Sequence, residues 1–156
     1  MRRLLLPALV AALAVPAAAL ARPSGLDDGT LVVKNGDGYV FVSGRGAIIG
    51  SCDSCRVRTF DPDPDDGTGP IVNGAEDHDD GGATGVDVYS GTDVRFRMIG
   101  GAFKIRIWGS GIDVSVVARG WGRIKGSDSS TGWYALNGGD RRSLPDELTK
   151  FLLVTD

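Results

Sequence analysis

The chain has 156 residues with 17 basic and 20 acidic side chains, a formal net charge of −3. That length suits a single ordinary domain. The acidic balance argues against nucleic acid as a partner, and one histidine with two cysteines supplies too few ligands for a zinc site.

In chain order, Met1-Arg2-Arg3 precedes an uncharged apolar run from Leu4 to Leu20 and an Ala19-Leu20-Ala21 site. A positive start, an apolar stretch and a small-x-small site make up a secretory signal peptide, so cleavage is expected near Ala21 and a secreted, extracellular location follows. Pro7 and Pro16 and the short run argue against a membrane span. Without residues 1–21, 135 residues remain at a charge of −5. They read as one β domain, 22–156, with an acidic loop at 61–82.

Glycine is abundant, and the stretches between glycines are short, rich in Val and Ile, and alternating. Such a pattern predicts an all-β chain, an antiparallel β-sandwich built from glycine-linked hairpins, with a β-solenoid or β-roll as the alternative. Strands are expected at 30–34, 38–43, 46–50, 55–60, 86–90, 93–99, 102–108, 111–118, 122–126, 132–136 and 149–154. A single helical turn near 143–147 is the best helix candidate.

The first half of the chain echoes the second at an offset of 65, with Gly36, Gly44 and Gly46 matching Gly101, Gly109 and Gly111. Turns at Gly100-Gly101 and Gly109-Ser110 predict a three-stranded meander over 93–118, pairing Phe103 with Met98, Ile105 with Phe96 and Val114, and Ile107 with Val94 and Ile112. A fourth strand would set Ile124 against Val116. One outer face would then carry Arg95 opposite Arg106 and Arg97 opposite Lys104, with Asp113 beside Arg106, and would be a basic binding face.

Cys52-Asp53-Ser54-Cys55 in an exported chain predicts a disulfide across a hairpin turn. Between the halves, 61–80 holds eight acids and no Lys or Arg. Three readings stand for it: a solvated loop, a flap neutralising the basic face, or a calcium site. Asp61, Asp63 and Asp65 alternate as in a calcium loop, but Asp66 stands where glycine is needed and Val72 where a bidentate acid is needed. A looser site drawing on Asp61, Asp63, Asp65, Asp66 and the acids at 76–80 stays open, with calcium as its ion; otherwise no cofactor is indicated. His78 lies among carboxylates. Trp108, Trp121 and Trp133 suit either core capping or carbohydrate stacking.

The segments Val40–Gly50, Gly109–Ser115 and Gly132–Gly138 resemble a type of uncharacterised secreted, glycine-rich β protein of high-GC actinobacteria. The resemblance implies a compact exported β domain and carries no activity. The function expected is non-catalytic binding or scaffolding at the cell envelope or outside the cell, with an anionic envelope polymer or carbohydrate as partner. A secreted carboxylate-dependent hydrolase and a calcium-stabilised carbohydrate-binding module are the alternatives.

Overall fold

Alternation fixes which side chains turn inward: Val94, Phe96 and Met98 are buried while Arg95 and Arg97 are exposed, and Phe103, Ile105 and Ile107 are buried while Lys104 and Arg106 are exposed. A computed structural model describes residues 27–155; the expected signal segment 1–21 lies outside them. Its strands are β1 (Asp27–Phe60), β2 (Ile71–Asn73), β3 (Asp77–Asp79), β4 (Val86–Gly126), β5 (Trp133–Leu136), β6 (Arg142–Ser143) and β7 (Thr149–Thr155), with no helix among the described residues. The fold is all-β and antiparallel. Where a helical turn is expected near 143–147, the chain instead forms β6 and then bends.

β1 and β4 are too long to be single flat strands, and their pairing shows how they bend. Residues 39–45 lie between 102–108 and 119–125; residues 47–51 lie between 95–99 and 113–117; residues 54–60 lie between 86–92 and 104–110. The stretches 39–45 and 54–60 therefore flank the same neighbour, whereas the chain between them belongs to a different ladder. One ladder runs β5, 29–33, 113–118, 47–51, 95–99, β2. The other runs β7, 119–125, 39–45, 102–108, 54–60, 86–92, β3. Both turn their apolar sides onto one core that joins Leu31, Ile48, Phe96 and Val114 of the first ladder to Val42, Val57, Ile105 and Ile124 of the second.

This is a β-sandwich wound as a jelly roll, a long hairpin coiled so that each stretch crosses from one sheet to the other. The expected meander is overturned. Ile105 pairs with Val42 and Thr59, Val114 with Val33 and Gly50, Met98 with Ile48, and Ile124 with Val40 and Thr149. Gly100 and Gly101 do take positive φ, 86° and 61°, but they carry the chain across to the opposite sheet instead of back along the same one. The offset of 65 has a geometric counterpart: shifting 39–45, 47–51 and 54–60 by 65 lands on 104–110, 112–116 and 119–125, which lie in the second, first and second ladders as their counterparts do.

The acidic stretch between the ribbons is not a free loop. β2 adds to the outer edge of 95–97 and β3 to that of 88–90, so the segment closes the open side of both ladders. Three of its carboxylates serve its own turns, Asp61 accepting from the Asp63 amide, Asp66 from that of Thr68 and Asp80 from that of Gly82, while Glu76 accepts from both the amide and hydroxyl of Thr92 on β4. Charged side chains along such an edge also discourage pairing with other chains.

Inside the core, glycine is used to make room for rings. Gly50 pairs with Phe96 and Gly122 with Phe151, and a Cβ at either glycine would collide with its partner's ring. Gly50→Ala and Gly122→Ala should each lower stability by about 1–3 kcal/mol, as overpacking does, read as a shifted urea midpoint at unchanged slope. Wild-type midpoints in both variants would show that the rings do not occupy those places.

Candidate functional site

Because cross-strand partners share a face, the registers of the second ladder order its outer surface into four rows. One row holds Val88, Arg58, Arg106, Phe41, Arg123 and Lys150; the next holds Ser90, Arg56, Trp108, Tyr39 and Lys125; the third holds Val86, Phe60, Lys104, Ser43, Trp121 and Leu152; the fourth, at the bend, holds Ala102, Arg45 and Arg119. The first three rows bring seven cations to one side of the sandwich, and all seven are exposed. None takes part in a salt bridge among the described residues, where the ion pairs are Lys34–Asp113, His78–Asp87 and Arg119–Asp28. Two acids, Asp77 and Asp79 of β3, border the face at one edge.

Aromatic rings hold four of these cations in place. Lys104 lies 5.0 Å from the Phe60 ring, Arg106 lies 5.5 Å from Phe41, and Arg123 and Lys150 lie 5.4 and 5.1 Å from Trp121. Phe41 is buried beneath this layer with its centroid 5.0 Å from that of Trp121, while Tyr39 packs at 5.5 Å on Trp108. Long stems over rings keep the charged ends in water while covering apolar surface, so the layer is both packed and cationic.

The expected basic face is therefore divided. Lys104 and Arg106 belong to this surface, together with Trp108 and Trp121, whereas Arg95 and Arg97 lie on the outer side of the opposite ladder, paired with Ser51 and Ile49. The juxtapositions of Arg95 with Arg106 and Arg97 with Lys104 do not occur, since their strands belong to different sheets. Asp113 does not neighbour Arg106; it accepts hydrogen bonds from Lys34 Nζ at 2.8 Å and the Asn35 amide at 2.7 Å. Trp133, on β5, stands apart from the other two tryptophans, with Arg141 4.3 Å from its ring.

Sequence reasoning missed Arg56, Arg58, Arg123, Lys125 and Lys150 as members of one face. Each was visible as an outward alternate, but the pairing that gathers them is long-range.

The disulfide between Cys52 and Cys55 is formed, and both residues are buried in the core cluster. It sits where the ribbon crosses between ladders and not across a hairpin turn. Among the described residues no three carboxylate, histidine or cysteine side chains are grouped so as to hold a metal ion. His78 bonds Asp87 at 2.9 Å and stacks on Tyr89 at 4.5 Å. Burial and the Asp87 charge push the Tyr89 hydroxyl above its ordinary range.

A groove of about 380 Å³ on the outer side of the first ladder contains one carboxylate, Asp113. Desolvation works to raise its pKa, but the Lys34 and Asn35 hydrogen bonds and the Lys34 charge outweigh it and hold the carboxyl below the usual range. A general acid needs the reverse shift. No helix of the described residues is long and apolar enough to cross a membrane. No protein-family model, curated protein or solved structure matches the chain.

The depressed Asp113 pKa sets a sign. The stability it contributes is complete above the unfolded aspartate value of about 3.9 and is lost as pH falls through the lower folded value. Wild type should exceed Asp113→Asn at pH 6 by less than about 1 kcal/mol, since the pair is partly exposed. That gap should close below pH 4 in urea melts; a gap unchanged at pH 2 would dissociate the effect from this carboxylate.

Proposed function

We propose that the chain is a non-catalytic, exported β domain that binds an anionic polymer of the cell envelope or extracellular matrix through the outer face of its second ladder. The observation that carries this reading is the gathering of Arg56, Arg58, Lys104, Arg106, Arg123, Lys125 and Lys150 on one side, in a chain whose overall charge is negative. A sheet face with repeated charges two residues apart along each strand offers contacts about 7 Å apart. That suits a repeating polyanion better than a single small ligand. The rings of Trp108 and Tyr39 give the same surface apolar contact for sugar units, which makes an anionic glycan or a polyol phosphate the chemical class.

Export is part of the proposal, with the signal segment removed after Ala21. Its support is the Met1–Ala21 pattern, together with a disulfide of the kind an oxidising compartment favours.

The test is titration with poly(glycerol phosphate) and a polyuronic acid, with neutral dextran as control. Arg58→Gln/Arg106→Gln/Arg123→Gln should weaken polyanion binding about tenfold or more and flatten its salt dependence. Arg95→Gln/Arg141→Gln/Arg142→Gln, which removes equal charge away from this face, should leave it near wild type. Equal losses in both triple variants would reduce the effect to net charge and sink the face. Binding to single-stranded oligonucleotides alone, and to neither polymer, would move the domain to a different class.

A further inference from the structure

The opposite side of the sandwich carries surface that polymer binding does not use. On the outer face of the first ladder, registers again form rows: Asn73, Arg95, Ser51 and Asp113; then Ile71, Arg97, Ile49 and Ser115; then Ile99, Ala47 and Val117. The first row is polar and charged, the second mixed, and the third wholly apolar. Ile49, Ile71, Ile99 and Val117 are each about half exposed, at 54, 47, 54 and 53 %. Four large aliphatic side chains left in water on neighbouring positions are an unusual concentration for a small domain.

The charges at the polar end are unequally committed. Asp113 is held by Lys34 and the Asn35 amide, so these groups neutralise each other. Arg95 and Arg97 have no carboxylate within ion-pair distance among the described residues. Standing two residues apart on one strand, they place their guanidinium groups on the same side, with the hydroxyls of Ser51 and Ser115 close by in register.

The surface here is also concave. The groove of about 380 Å³ is lined by Arg95, Arg97, Ser51, Ile49 and Ile71. A second depression of about 190 Å³, walled by Gly67–Gly69, shares Arg97 and Ile71 with it and continues to Ile99. From the Arg95 row to the Ile99 row is four residues of strand, about 13 Å.

We propose that this groove is a second binding site, for a small amphiphilic anion. Its head group lies between Arg95 and Arg97, and its hydrocarbon chain runs over Ile71 and Ile49 toward Ile99. The distance matches a medium-length acyl chain, and the charge complementarity selects a carboxylate or phosphate head over a neutral one. The site is distinct from the polymer face, so either can fail without the other.

The experiment is calorimetric titration of the folded domain with decanoate below its micelle concentration, with decanol and inorganic phosphate as separate arms. Saturable binding of one decanoate is expected, with decanol and phosphate each at least tenfold weaker. Arg95→Gln/Arg97→Gln should weaken decanoate at least tenfold, and Ile49→Ser severalfold, without changing the circular dichroism. Amide shifts in the wild-type protein should cluster at residues 49–51, 71–73 and 95–99, a readout that needs no variant. Absence of saturable binding, or wild-type affinity in the arginine pair, overturns the site. Phosphate binding as tightly as decanoate overturns the amphiphile, and decanol doing so overturns the anion.

Discussion

Residues 39–45, 47–51 and 54–60 are paired along both edges, and that double pairing is the constraint on which the rest depends. A strand whose two edges are satisfied has only its two faces left to vary. Period-two alternation then divides every side chain between the core and one of two outer surfaces. A one-residue slip in either register would exchange Val40, Val42 and Val57 for Tyr39, Phe41 and Arg58 in the core, so the arrangement is strongly specified. The same constraint assembles the cationic face. Arg58, Arg106 and Arg123 lie far apart in sequence yet occupy one row, because the registers of the second ladder fix them across four neighbouring stretches, with Phe41 between Arg106 and Arg123.

The inward face was legible in the sequence; the partners were not. Phe96, Ile105 and Val114 all turn to the core, as their alternation requires, but none pairs with another. The reason lies in the turn chemistry. Gly100-Gly101 and Gly109 supply the positive φ that a tight reversal needs, and a crossing between stacked sheets needs it too. Local sequence therefore marks where the ribbon bends without saying whether it folds back or passes over. The 65-residue offset held the missing information, since it placed glycine at equivalent bends in both halves of the winding.

The acidic stretch was legible only in part. Its run of acids reads as a solvated loop, and 62–67 and 76–80 are exposed, yet Asp61, Asp66, Asp80 and Glu76 each turn one oxygen to a backbone amide. Short strands with few apolar residues, such as β2 and β3, carry little periodic signal and exist because the edges of β4 are there to receive them. The disulfide was legible from the spacing together with the expected export, but its position at a crossing was not. There it closes a very short loop, with buried cysteines on either side of the exposed Asp53 and Ser54, so it acts chiefly on local rigidity.

The two outer faces differ in a way that follows from the winding. Successive stretches of the ribbon alternate between ladders, so neighbouring basic runs in the sequence are sent to opposite sides: Arg95 and Arg97 to one, Lys104 and Arg106 to the other. Repulsion that a meander would have set between these two pairs is thereby avoided. The price is that charge on the second ladder must be tolerated at high density, and the rings of Phe41, Phe60 and Trp121 beneath the cations supply that tolerance without neutralising them. A carboxylate in their place would quench the field that reaches solvent, whereas an aromatic quadrupole steadies each cation and leaves its charge available. A layer held in that manner remains electrostatically open, which is the physical condition a polyanion-binding surface has to meet.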